Sequence, residues 1–271
     1  MNQEKILTVI SLGVGVQSST MALMAAKGEL PMPDCAIFAD TGYEPEAVYK
    51  YLEFLKKELP FPIHIVEKGN IRDDMINSVD NGQRFLTAPF FTKSAETGKS
   101  GMLQRQCTND YKIQPIRKKI RELCDVGYKK HFPKDKYVEQ WIGISTDEIQ
   151  RMKPARDKYI KNKHPLIELN MNRQQCLIWM NKNNYPLPEK SACICCPYHD
   201  DAYWSFMKKE RPSEFQQAVW FDKKIRFGSR NIKDELYLHR SCQPLDEVEF
   251  KEKVDNQMDM FDNECEGMCG L

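Results

Sequence analysis

The sequence predicts an α/β fold, a doubly wound parallel sheet with a helical C-terminal subdomain, and three observations lead there. Four short apolar runs, at 6–10, 35–39, 63–66 and 140–144, have the length and composition of buried strands. Between the first three runs, apolar residues recur at helical spacing, which is the βαβ pattern of a parallel sheet. A turn of small residues follows the first run directly. We expect an α/β domain over 1–165, a helical, cysteine-containing subdomain over 166–250 and a mobile tail over 251–271.

The first turn reads Ser11-Leu12-Gly13-Val14-Gly15-Val16-Gln17-Ser18-Ser19-Thr20 and runs into a helical segment at 21–26. Glycines let the backbone approach a phosphate, and the first helical N–H groups point at it with the positive end of the dipole behind them. The pattern is neither G-x-x-x-x-G-K-[ST] nor G-x-G-x-x-G, because position 18 is serine. The second strand ends in Asp40-Thr41-Gly42, and Val48, Tyr51, Leu52 and Leu55 then mark a helix over 44–59. Open α/β sheets bind ligands at these carboxyl ends. Residues 87–101 lack a period and read as a mobile loop or lid, whose Lys93 and Lys99 are candidate phosphate or polynucleotide contacts against the simpler reading of a solvated loop. The strand around 138–145 ends in Thr146-Asp147-Glu148 with Arg151 one turn on, groups able to orient a ribose, Mg²⁺ or an acceptor. The aromatic-rich stretch 202–227, with Pro212 opening its second helix, reads as core.

Composition narrows the class. Forty basic and 39 acidic residues give a net charge of +1, which argues against a strongly basic nucleic-acid binder. No apolar run approaches 18 residues, so no membrane span is expected. A polar start that enters a strand directly favours a cytoplasmic protein.

Ten cysteines in a reducing compartment suggest metal or redox chemistry. Cys35, Cys124 and Cys176 fall in strand or helix patterns and read as packing residues. Ser191-Ala192-Cys193-Ile194-Cys195-Cys196-Pro197-Tyr198-His199 contains a C-x-x-C, enough to chelate one soft metal centre but not to complete it. Cys107 is the best third ligand, flanked by Arg105 and Lys112, whose charges favour thiolate. The tail holds Cys265 and Cys269 in C-x-x-x-C spacing, which suits a disulfide or metal, against the simpler reading of an exposed tail without chemistry. His239-Arg240 is a candidate phosphate contact against the simpler reading of a solvated pair.

These motifs carry a resemblance. The S-x-G-x-G-x-Q-S-S turn resembles the PP-loop of the adenine nucleotide α-hydrolase superfamily, which includes ATP pyrophosphatases and phosphoadenylylsulfate (PAPS) reductases. The tract IFADTGYEPEAVYKYLEFL, the Cys-Thr…Tyr-Lys-Ile-x-Pro pattern and Ser-Ala-Cys-Ile-x-Cys-Pro-Tyr-His are similar to PAPS-reductase-like proteins. The resemblance implies a Rossmann-like fold and a nucleotide, ATP or PAPS, on Ser11, Gly13, Gly15, Gln17, Ser18 and Ser19. It places backbone groups of 37–39, including Phe38, on the adenine, and Asp40, Thr41, Gly143, Asp147, Glu148 and Arg151 near the ribose or phosphates. It implies a [4Fe–4S] cluster on Cys107, Cys193 and Cys196, with one iron open. Structural zinc, with His199 or Cys195, and a redox disulfide stay as alternatives. Two departures stand out: Gln17 replaces the motif aspartate, which weakens the case for Mg²⁺, and Val14 replaces a motif glycine. They favour sulfite release from PAPS, with Cys265 or Cys269 as nucleophile, over ATP cleavage with sulfur transfer to a nucleic-acid base or small metabolite. A non-catalytic nucleotide-binding module with structural zinc is the competing class.

Overall fold

The structure, a computed structural model, describes residues 3–80, 88–127, 130–228 and 232–251. A five-stranded parallel sheet forms the first layer. It is built from β1 (Glu4–Ser11), β2 (Cys35–Asp40), β3 (Ile63–Glu67), β6 (Lys136–Ile142) and β7 (Ile160–Lys163), in the order β3-β2-β1-β6-β7. The chain steps outward from β1 to β3, then returns to add β6 on the other side of β1. The strand order therefore reverses between β1 and β6, where such sheets open a crevice at their carboxyl ends.

Helix α1 (Val16–Ala26) is buried over ten consecutive residues because it lies under both the sheet and a later helix, α6 (Arg173–Lys182). Cys176 and Met180 of α6 share a core with Leu23, Met24 and Phe38. Helix α2 (Glu46–Glu58) is amphipathic in the ordinary way. Val48, Tyr51, Leu52 and Leu55 are buried, while Glu46 in its first turn and Lys56 and Lys57 in its last complement the dipole. Burying one such leucine fully contributes about 1.5–3 kcal/mol.

A third cluster, with Val9, Ile37, Val138, Ile116 and Ile120, packs against the sheet as well, and a second core lies among the later helices. It gathers Met75 of α3 (Ile71–Asp80), Trp204 and Met207 of α7 (Asp201–Glu210), and Phe215, Phe221 and Ile225 of α8 (Pro212–Ile225). The expectation of a core role for the 202–227 aromatics holds for Trp204, Phe215 and Phe221, whereas Phe206 is 39%, Trp220 46% and Phe227 77% exposed.

The lid expected over 87–101 takes a different form. Apart from Thr87, which lies outside the described residues, it contains β4 (Phe91–Lys93) and the start of β5 (Ser100–Met102). These form an antiparallel sheet with β8 (Glu235–Tyr237) in the order β5-β4-β8. Three-residue strands are too short to print a period, and β4's second partner comes from the far end of the chain. Among the described residues no helix is long and apolar enough to cross a membrane.

Candidate active site

The glycine turn joins β1 to α1 at the strand-order reversal. Gly15 is the N-cap of α1, no side chain caps that helix, and its first turn carries no acidic residue. Helices α6 and α7 are closed by side chains, whereas α2 and α8 lack a side-chain cap as α1 does. Asn172 and Gln175 form a capping box on α6, and Asp200 accepts the Tyr203 N–H at 2.7 Å on α7. What sets the end of α1 apart is its glycine-led entry and a first turn without acidic residues, where the dipole favours an anion. Within the turn, Ser18 Oγ accepts the Gly13 N–H at 3.2 Å, and Val14 sits at φ +62°. A buried β-branched residue in the left-handed region is strained. The Ser11 and Ser19 hydroxyls are buried without a hydrogen-bond partner among the described residues.

Each neighbouring strand end contributes. The Leu12 N–H donates to the Ile37 carbonyl at 2.9 Å, and the β1–β2 register ends at Ser11–Ile37. Phe38 and Ala39 continue past the end of β1, with the Phe38 side chain 2% exposed in the core. Asp40 Oδ1 accepts the Gly42 N–H at 2.7 Å and the Tyr49 hydroxyl at 2.9 Å. Gly143 follows β6, and a Cβ there would stand 2.7 Å from the Ser18 backbone N and 2.8 Å from its Cα. The glycine therefore lets the end of β6 press against the first turn of α1.

Gln17 faces sideways into a polar network. Its Nε2 donates to Ser145 Oγ at 3.4 Å and to Glu148 Oε2 at 3.3 Å, while its Oε1 accepts from Arg173 Nη1 at 3.5 Å. Glu148 pairs with Arg151, and Asp147 accepts the Ser145 hydroxyl at 2.5 Å and the Arg173 N–H at 3.2 Å. Sequence reasoning missed Ser145 and Arg173, which no motif marks.

The cysteines converge on a second feature beside this one. Cys107, Cys193, Cys195 and Cys196 line a single cavity with Thr41, Arg105, Thr108 and Lys112. The C-x-x-C is a tight turn, closed by the Cys196 N–H to the Cys193 carbonyl at 2.9 Å. That carbonyl also meets His199 Nε2 at 2.9 Å, and the His199 ring stacks on Tyr203. The turn is tied to β2, since the Ile194 N–H donates to the Tyr43 carbonyl at 3.0 Å. It is tied to the glycine turn as well: Ser191 Oγ donates to the Gly13 carbonyl at 2.5 Å. Thr41 stands between the two features, 3.2 Å from Cys193 Sγ.

Burial pushes the Cys193 thiol well above its ordinary range; the Glu44 carboxylate adds to this and Lys112 opposes it. Burial does the same to Cys195, with Cys196 and Cys107 reinforcing it. A soft cation or cluster would reverse this by taking the thiolate form. Among the described residues no three His, Cys, Asp or Glu groups are gathered to hold one metal ion. Cys107, Cys193, Cys195 and Cys196 on one cavity wall are a donor set of the soft kind that a thiolate-bound metal centre uses.

The remaining cysteines stand apart. Cys35 and Cys176 are buried in the cores, and burial pushes Cys35 up to about 11. Cys265 and Cys269 lie outside the described residues. His239 and Arg240 both reach Asp201, at 3.1 and 3.0 Å, fastening the C-terminal segment to α7.

A parallel sheet with a glycine-led helix, uncapped by any side chain, at its reversal point defines an α/β protein of the open, doubly wound kind. Residues 7–131 match the model of the phosphoadenosine phosphosulfate reductase domain. Over that span, somewhat less than half of the chain, the sequence is similar to that domain. Among solved structures, the phosphate complex of phosphoadenylyl-sulfate (PAPS) reductase from Candida auris aligns with a TM-score of 0.44 at 15% identity, over 68% of this chain and 76% of that one. No curated protein matches the chain.

Proposed function

We propose that this protein is an adenine-nucleotide-dependent enzyme of sulfur chemistry, with the phosphates on the glycine turn and sulfur handled in the adjoining thiol cavity. The observation that carries this reading is the direct bond between the two features, Ser191 to the Gly13 carbonyl, with Thr41 against Cys193 beside it. A nucleotide anchored at the α1 N-terminus has the thiols as its neighbours.

Cys107, Cys193 and Cys196 are the proposed ligands of a [4Fe–4S] cluster, which would supply a site for binding or polarising sulfur. Of the two nucleotides, PAPS is favoured. Gln17 is a neutral amide held by Ser145, Glu148 and Arg173, so helix α1 presents no carboxylate for Mg²⁺ at that position. In the PAPS version a tail thiolate, Cys265 or Cys269, attacks the sulfur and the nucleotide bisphosphate leaves. The second thiol then displaces sulfite and closes a disulfide, so the two thiols supply both electrons.

The test is the iron, zinc and acid-labile sulfide content of protein purified without oxygen, followed by PAPS and ATP binding and a sulfite assay. About four irons and four sulfides per chain are expected. One zinc without sulfide would leave the cysteines structural, and tighter binding of ATP with pyrophosphate release would replace the reductase version.

A further inference from the structure

Glu44 has no part in the reading above, yet its side chain is 0% exposed beside the thiol cavity. Its Oε1 faces three partners: the Lys112 ammonium at 3.5 Å, the Thr41 hydroxyl at 3.1 Å and the Cys193 thiol at 3.8 Å. Its Oε2 is buried without a hydrogen-bond partner among the described residues. All three neighbours line the cavity. A carboxylate taken out of water is costly unless paired, and so is an ammonium. This pair is held at the cavity wall rather than replaced by apolar packing.

The backbone is built to deliver Lys112 there. Asn109–Ile113 is a π-helical turn ahead of α4 (Gln114–Leu123), and Tyr111, Lys112 and Ile113 are buried in succession. A regular α-helix spreads three successive residues around its circumference, most of the way to the solvent side. The wider turn, of a kind frequent at functional sites, keeps Lys112 inward.

We propose that Glu44 is a positioning residue that fixes the Lys112 ammonium and the Thr41 hydroxyl on the cavity wall, and so sets the charge felt by the sulfur group held there. Thr41 has one hydroxyl proton. Donated to Glu44, it leaves the oxygen to accept from a Cys193 thiol. Donated to Cys193, it stabilises sulfur in the thiolate form. Glu44 competes for that proton and at the same time offsets the Lys112 charge. One of the two readouts below rests on the cluster reading; the other does not.

The experiment compares wild type with Glu44→Gln, Lys112→Gln, the double variant and Thr41→Val, all purified without oxygen. In iron-loaded protein, the cluster midpoint potential should move positive in Glu44→Gln and negative in Lys112→Gln, and return toward wild type in the double variant. In iron-free protein, iodoacetamide should alkylate Cys193, followed by peptide mass mapping at one pH, faster in Glu44→Gln and slower in Lys112→Gln, with the double variant again near wild type. Absence of iron from the wild type would defeat the cluster reading alone, and alkylation would then decide the role of Glu44. Should the single charge variants fail to fold, Thr41→Val leaves no charge unpaired and is expected to move the potential negative and slow alkylation. Equal potentials and equal alkylation rates across the folded proteins would overturn the proposal.

Discussion

Ser191 Oγ donates to the Gly13 carbonyl at 2.5 Å, across 178 residues of sequence, and both groups are buried. That bond makes the cysteine turn part of the wall of the glycine turn. Ser191→Ala would leave the Gly13 carbonyl without this donor, a loss of about 1–3 kcal/mol for a buried group. The melting temperature should fall by about 2–4 °C per kcal/mol lost. Nucleotide affinity should fall with it while iron content stays at the wild-type level. Unchanged affinity in an equilibrium titration would mean that the glycine turn holds its shape without the cysteine turn.

Gly143→Ala places a methyl group 2.7 Å from the Ser18 amide nitrogen, inside contact distance of main chain rather than of a flexible side chain. Either β6 or the first turn of α1 must shift. We expect overpacking to cost about 1–3 kcal/mol and nucleotide binding to suffer beyond what the lost stability explains. Calorimetric unfolding beside a binding titration separates the two effects.

Val14→Gly tests the strained turn. Relieving the left-handed conformation at Val14 returns about 1–2 kcal/mol. Deleting a fully buried valine side chain loses about 1.5–3 kcal/mol. The two nearly cancel, so the denaturant midpoint should move only slightly. A large destabilisation would show that packing, not backbone strain, governs residue 14.

Acid should weaken the fold through its buried histidines. Burial lowers the pKa of His164, and burial also lowers that of His239, with Asp201 opposing. Their unfolded pKa is the higher one, near 6.5. Stability is therefore complete above about pH 6.5 and declines as pH falls from there toward the folded values, because the unfolded chain takes up protons first. Asp201 runs lower on the scale: its depressed pKa contributes stability above the ordinary carboxylate range that is lost only in stronger acid. Melting temperatures between pH 7.5 and 5 should fall, and His164→Gln should flatten part of that slope. A flat profile in wild type would contradict the assignment.

Local patterns made the framework readable. The runs at 35–39 and 63–66 fall within β2 and β3; β2 is buried along nearly its whole length, as central parallel strands are, while β3 at the sheet edge is only partly covered. Strand β6 begins earlier and ends earlier than its apolar run, from Lys136 to Ile142, since its first residues pair with β1 while remaining partly exposed. Strand β7, Ile-Lys-Asn-Lys, escaped notice: an edge strand needs little apolar content, and its lysines guard the open edge. The glycine turn and the C-x-x-C were visible because their residues are neighbours in sequence. Glu44 with Lys112, and Gln17 with Ser145 and Arg173, were not, because each pair joins separate segments and leaves no periodic mark.

By itself the sequence determined the parallel α/β architecture, the glycine-led entry to the first helix and the presence of a clustered thiol motif. All of these arise from short-range propensity and spacing. Only the tertiary structure decided which cysteines share a cavity, that Thr41 and Ser191 join that cavity to the glycine turn, and that Glu44 stands buried at its wall. Those are outcomes of long-range packing, where a residue's chemistry depends on groups that the chain brings alongside only when its cores close.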